Sequence, residues 1–134
     1  MLVSEGGTRS EAPPEVSVDP LDRSALQSLR ELQEEGEPDL LKQLIELFLK
    51  ETPSQLAALR EAVQRGDAQS TDQVAHALKG CCLSMGAVRL ASACTELQKA
   101  GARGDLAGAP EILHRLEVEF ARARTALEAE ASNN

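Results

Sequence analysis

Aromatic residues are almost missing from this 134-residue chain, which has two Phe and neither Tyr nor Trp. Leu and Ala make up most of the apolar set, and both are strong helix formers, so a Leu-seamed all-α domain is expected rather than any sheet. Positive charge is also short: 14 basic residues face 22 acidic ones, for a formal net charge of −8. Such a balance argues against nucleic-acid binding, which needs a basic surface to neutralise phosphates. No run of about 18 apolar residues occurs and the N-terminus lacks the basic-then-apolar order of a secretory signal, so neither a membrane span nor export is expected. The three cysteines, Cys81, Cys82 and Cys94, are an odd number without a CxxC pair. Adjacent helical cysteines cannot readily bridge each other, so reduced thiols in the cytoplasm are expected, and no metal site. Glycine-rich phosphate loops, GxSxG, HExxH, internal repeats and a paired acid-base dyad are all missing. The length suits one domain with one core.

Along the chain, residues 1–19 carry Gly6-Gly7, Pro13-Pro14 and scattered Ser, Thr and Glu without a period, which reads as a disordered arm or linker. A helical bundle is expected over 20–130, with a disordered tail over 131–134. The first helix should start near Asp19 to Asp22, carry Ala25, Leu29 and Leu32 on one face, and stop at Gly36. Pro38 suits the first turn of a second helix through Leu41, Leu44, Ile45, Phe48 and Leu49, with a kink or break expected at Thr52-Pro53 before Leu56, Leu59 and Val63. Gly66 should end it and Asp67 cap the third. A fourth carries Leu90, Cys94 and Leu97 and ends around Gly101 to Gly104. The last begins between Asp105 and Pro110, with Ile112, Leu116, Phe120, Ala123 and Leu127 inward and Glu and Arg outward. Short connections favour an antiparallel up-down-up-down four-helix bundle with the additional N-terminal helix across one end.

The chemistry concentrates in DAQSTDQVAHALKGCCLSMGA, residues 67–87. At about 100° per residue, Val74, Leu78, Cys81 and Met85 fall within roughly 60° and should face the core. His76 lies about 190° from the centre of that stripe, in water, with Lys79 three and Gly80 four residues later. Gln69, Asp72, Gln73 and the apolar Leu83 belong to the same outer surface. Gly80 is unusual there, since Gly inside a helix costs about 1 kcal/mol relative to Ala, and its missing side chain leaves room for close approach. An exposed neutral imidazole is a competent nucleophile near neutral pH, and a lysine one turn away can steady an incoming dianion. His114, with no Lys-Gly pair after it, serves as an inert comparison on the last helix.

The run AHALKG, followed by Gly86-Ala87 and then Leu90, Cys94 and Leu97, resembles the signature of histidine-containing phosphotransfer (HPt) domains. Upstream, Phe48 and Leu49, Leu56 and Leu59, and Gly66-Asp67 match that family's preceding helix and turn, so the resemblance covers about residues 22 to 128. It departs at Cys81-Cys82, where small hydroxyl or Ala residues are common, and at Met85, where Leu is common. Cys82, at the edge of the stripe, is the candidate for partial exposure and redox sensitivity.

The resemblance implies a phosphorelay carrier rather than an enzyme with its own ATP site. His76 would accept a phosphoryl group from a receiver-domain aspartyl phosphate and pass it to another receiver's aspartate. Lys79 would stabilise the phosphoryl group and Gly80 would give access, with Gln69, Asp72, Gln73 and Leu83 meeting the partner. No cofactor is implied, Mg²⁺ being expected on the receiver alone, and the carrier would be a cytoplasmic monomer. The alternatives are a helical adaptor that binds receivers or other signalling domains without accepting phosphate, an inert helical module, and a histidine-kinase dimerisation pair. The last lacks its Arg-Thr-Pro run and a nucleotide-binding region.

Overall fold

Three aspartates start three of the helices. Asp22 accepts a hydrogen bond from the backbone N–H of Ser24 at 3.1 Å, Asp39 from that of Lys42 at 3.1 Å, and Asp67 from that of Ser70 at 3.0 Å. Each satisfies a donor that the first helical turn leaves unpaired. In the computed structural model, which describes residues 19–33 and 39–132, the helices are α1 (Arg23–Glu31), α2 (Leu40–Gln64), α3 (Ala68–Ser84), α4 (Val88–Arg103) and α5 (Ala109–Ser132). Residues 1–18 of the arm expected over 1–19, the stop at Gly36, the placement of Pro38 and the last two tail residues lie outside the described residues.

Helices α2 to α5 alternate in direction, joined by three-residue links at 65–67 and 85–87 and a five-residue link at 104–108. Each packs on its sequence neighbour and α2 closes on α5, so the antiparallel four-helix bundle expected from the sequence is the observed architecture. Helix α1 covers the end where the α3–α4 turn meets the C-terminus of α5. There the Asp22 N–H donates to the Gly86 carbonyl at 2.6 Å, and Glu130 receives both Arg23 and, at 2.9 Å, Arg30. Among the described residues no helix is long and apolar enough to cross a membrane.

Leucines and one isoleucine fill the core: Leu26, Leu41, Ile45, Leu59, Leu78, Leu90, Leu97, Leu116 and Leu127 are all essentially sealed from water. The only two phenylalanines meet edge to face, Phe48 of α2 against Phe120 of α5, with ring centroids 6.3 Å apart. Several expectations need correction. Leu32 is 68% exposed, because α1 has already ended, and Leu26 is its buried anchor. Helix α2 passes through Pro53 without a break. Pro53 stands on the exposed face while Thr52 turns inward and donates its hydroxyl to the Phe48 carbonyl at 2.7 Å. Helix α5 continues to Ser132, past the expected end at 130. Glu119 is buried rather than outward, held by Arg89 at 3.2 Å and Arg122 at 3.4 Å, and a carboxylate is tolerated there because it is paired.

The most consequential correction concerns α3. Its buried residues are Thr71, Ala75, Leu78 and Cys82, with Met85 beyond, so the buried stripe is rotated toward α4 relative to the expected one. Cys81 is exposed and Val74 only half-buried. On the side facing α4 the two helices come close at Gly101, where an added Cβ would lie 2.7 Å from the Ala68 carbonyl oxygen and 2.7 Å from the Asp72 nitrogen. Helix α4 therefore meets the backbone of α3 directly there.

Gly86 should be the least replaceable turn glycine. Its φ is 72°, and a Cβ would sit 2.5 Å from the Asp22 carbonyl oxygen. Gly104 has φ 71° but open space around it. Urea unfolding should show Gly104→Ala losing about 1–2 kcal/mol, the left-handed penalty alone, and Gly86→Ala losing clearly more. Equal losses would mean that the α1 contact contributes nothing.

Candidate functional site

The outer face of α3 carries every side chain that the sequence marked. Gln69, Gln73, His76, Gly80 and Leu83 are exposed, while Asp72 and Lys79 are half-buried. At helical spacing Lys79 lies two turns beyond Asp72 on the side facing α4. His76 and Leu83 occupy the neighbouring row, and Gly80 lies one turn beyond His76. Leu83, 52% exposed, is one of few large apolar side chains left in water. Helix α3 is anchored at its start by Asp67, whose carboxylate takes both the N–H of Ser70 and, at 2.8 Å, its hydroxyl.

His76 is not isolated. Its Nδ1 lies 3.1 Å from the side-chain amide nitrogen of Gln98 on α4. The two ends of a primary amide are nearly isosteric, so this contact serves either ring tautomer. With the amide nitrogen toward the ring, a bare Nδ1 accepts. Turned by 180°, the amide oxygen accepts from Nδ1–H and Nε2 is left as the outward lone pair. In both cases Nδ1 is engaged by Gln98, on a residue that is exposed. Sequence reasoning missed Gln98. The signal was present in the register: α3 and α4 are antiparallel about the 85–87 turn, and residues nearly equidistant from it, such as His76 and Gln98, come abreast.

Gly80 is unlike the other helical glycine of this hairpin. A Cβ at Gly101 would strike backbone, whereas at Gly80 it would meet nothing within 4 Å. Packing among the described residues therefore gives no reason for Gly80, and the helix carries its cost of about 1 kcal/mol for a vacancy on the exposed face, one turn from the imidazole.

The remaining candidates carry less. His114 is exposed and, among the described residues, has no hydrogen-bond or ion-pair partner. Cys82 is fully buried and not at an exposed edge, so the redox sensitivity expected of it loses its basis. A hydrogen bond with Cys94, and then burial, push its thiol well above the usual range, which suppresses the reactive thiolate. On the far side of the bundle α2 and α5 enclose an open groove of about 550 Å³. Lys42, Ile45, Leu49, Lys50, Arg124 and Glu128 are among its lining residues, and none comes from α3 or α4.

Comparison with known proteins gives one consistent result. Residues 43–129 match the family model described as the Hpt domain. The crystal structure of histidine-containing phosphotransfer protein B from Pseudomonas aeruginosa superposes with a TM-score of 0.80 at 36% identity, covering 88% of this chain and 99% of that one. Histidine-containing phosphotransfer protein 4 of Arabidopsis thaliana is 26% identical over 102 residues, 75% of this chain and 80% of its own length. Pseudo histidine-containing phosphotransfer protein 1 of rice (Oryza sativa subsp. japonica) is also 26% identical over 102 residues. This chain spans only 54% of the rice protein's length.

Two predictions follow from this geometry. Nitrogen-15 spectra of the imidazole rings should show Nδ1 of His76 hydrogen-bonded, and Gln98→Leu should shift its signal toward that of the unpartnered His114; an unchanged His76 pattern would contradict the Gln98 contact. The Ser70 N–H and then its hydroxyl hold the Asp67 carboxyl below the usual carboxylate range. A lowered folded pKa means that its contribution is present above the unfolded value of about 4 and lost as pH falls through the lowered one. Asp67→Ala should therefore be less stable than wild type at neutral pH, the gap narrowing on acidification below about pH 4; a gap independent of pH in unfolding curves would contradict the cap.

Proposed function

Because this chain belongs to the Hpt domain family, we propose that it is a phosphorelay carrier in which Nε2 of His76 receives a phosphoryl group from the aspartyl phosphate of a receiver domain. The Nε2–P bond forms as the acyl-phosphate O–P bond breaks, and the electron pair leaves on the receiver's aspartate. Attack by a second receiver's aspartate on the phosphohistidine reverses the pattern and empties the carrier. In this reading the Gln98 amide is turned so that its oxygen accepts from Nδ1–H, which keeps the proton on Nδ1 and the lone pair on Nε2. The observation that carries this reading is the combination of an exposed imidazole, engaged only through Nδ1, with the unfilled space at Gly80.

Phosphoryl transfer through a loose transition state asks for in-line positioning and charge neutralisation more than for covalent machinery. Lys79 supplies the carrier's cation and Gly80 lets the receiver's active site close over the ring. Gln69, Asp72, Gln73 and Leu83 complete the docking face. Mg²⁺, in this reading, belongs to the receiver, and ATP to the kinase that first charges it. The carrier is not itself a classical enzyme, and it acts as a cytoplasmic monomer.

The test incubates the protein with a panel of phosphorylated receiver domains and follows acid-labile, base-stable phosphate. Label should appear on wild type and be absent from His76→Gln. Label retained in that variant would overturn the assignment of His76; receivers that bind without passing label would favour a non-accepting adaptor.

A further inference from the structure

Cations in this chain are mostly spoken for. Among the described residues Arg23, Arg30, Arg60, Arg65, Arg89, Arg115 and Arg122 each pair with a carboxylate. Lys42, Lys50, Lys79, Lys99, Arg103 and Arg124 form no ion pair. These six fall into two groups. Lys42, Lys50 and Arg124 line the α2–α5 groove, where Glu46 and Glu128 stand among them. Lys79, Lys99 and Arg103 belong to the α3–α4 hairpin, on the other side of the molecule.

Lys99 follows Gln98, the residue in contact with His76, and Arg103 lies one turn further along α4. Both are exposed. Gly101, between them in sequence, rests on Asp72, so this stretch of α4 runs beside the Asp72 to His76 stretch of α3. Arg103 also occupies the last turn of α4, where the free carbonyls favour a cation. Lys99 sits earlier in the helix and has no such reason. Within α4 the one carboxylate, Glu96, is taken by Arg115 at 2.5 Å, so the unpaired charges that this helix carries are both positive, with Asp105 just past its end accepting from the Ala107 N–H, in a chain whose formal net charge is −8.

We infer that Lys99 and Arg103 are recognition residues: an α4 strip that captures and orients the acidic, phosphoaspartate-bearing surface of the partner. The inference rests on the carrier reading of His76. A phosphoryl dianion on an aspartate is a concentrated negative charge, and approach to a net-acidic carrier is repulsive except along a locally positive track. Such fields act mainly on association, raising on-rates by about 10–10³-fold and fading with salt. Lys99 and Arg103 therefore act before the transfer step, whereas Lys79, one turn from the ring, acts within it.

The test measures transfer rates from a phosphorylated receiver that labels wild type, at low and high salt and over a range of receiver concentrations. The double variant Lys99→Glu/Arg103→Gln removes three units of positive charge; Lys50→Glu/Arg124→Gln removes the same number from the far groove and controls for net charge. The α4 variant should lose about tenfold in second-order rate at low salt. It should recover most of that at high salt and keep the wild-type rate at saturating receiver. The groove variant should stay close to wild type. Equal losses in both variants, a loss confined to the saturating rate, or no loss at all would overturn the inference while leaving His76 as the acceptor. Wild type that takes no label from any receiver would instead remove the carrier reading, and this inference with it.

Discussion

A methyl group on Gly101 would lie 2.7 Å from the Ala68 carbonyl oxygen, and α4 rests against α3 only because that methyl is missing. This backbone contact sets much of what the site is. In the helix that α4 rests against, α3, Ala75 and Cys82 are buried and Cys81 is outside. The contact brings Gln98 to 3.1 Å from His76, so the imidazole is exposed yet held. The far end of the same hairpin is fixed by Gly86, whose carbonyl receives Asp22 from the helix that covers the bundle's end. Between these two fixed points the outer face of α3 is presented on rigid elements, the condition for orienting a nucleophile.

Three glycines thus divide the work of the hairpin. Gly86 supplies a left-handed turn and Gly101 a close helix contact, and the fold needs both. Gly80 supplies empty space that nothing among the described residues fills. Local strain or instability without a packing reason is where function is to be sought. The chain's charge is distributed in the same spirit: most arginines join helices to one another, while a few cations are left over beside the imidazole.

Much of the architecture was legible because it depends on local signals. The Asp-capped starts, the glycine stops and the leucine periods are all readable within a few residues, and the family signature around His76 to Gly80 is compact. What was not legible depends on the neighbouring helix. Periodicity locates an apolar stripe only to within about half a residue step, so Cys81 and Cys82 exchanged places once α4 pressed on α3. Glu119 looked like any outward carboxylate, because its partner Arg89 lies 30 residues away on another helix. Pro53 looked like a kink or a break, and the helix runs on through it. Gln98 lacks a motif of its own and gains its meaning only through the antiparallel register.

The central claim is that the chain keeps a vacancy at Gly80 for an approaching partner and not for its own folding. Measuring thermal stability and receiver-to-carrier phosphoryl transfer side by side for Gly80→Ala tests it most directly. The account predicts an unchanged or higher melting temperature, since Ala is the better helix former by about 1 kcal/mol, together with transfer slowed by about tenfold or more, as expected when a reacting geometry is misplaced. A Gly80→Ala protein that accepts phosphate as fast as wild type, with its fold intact, would contradict it.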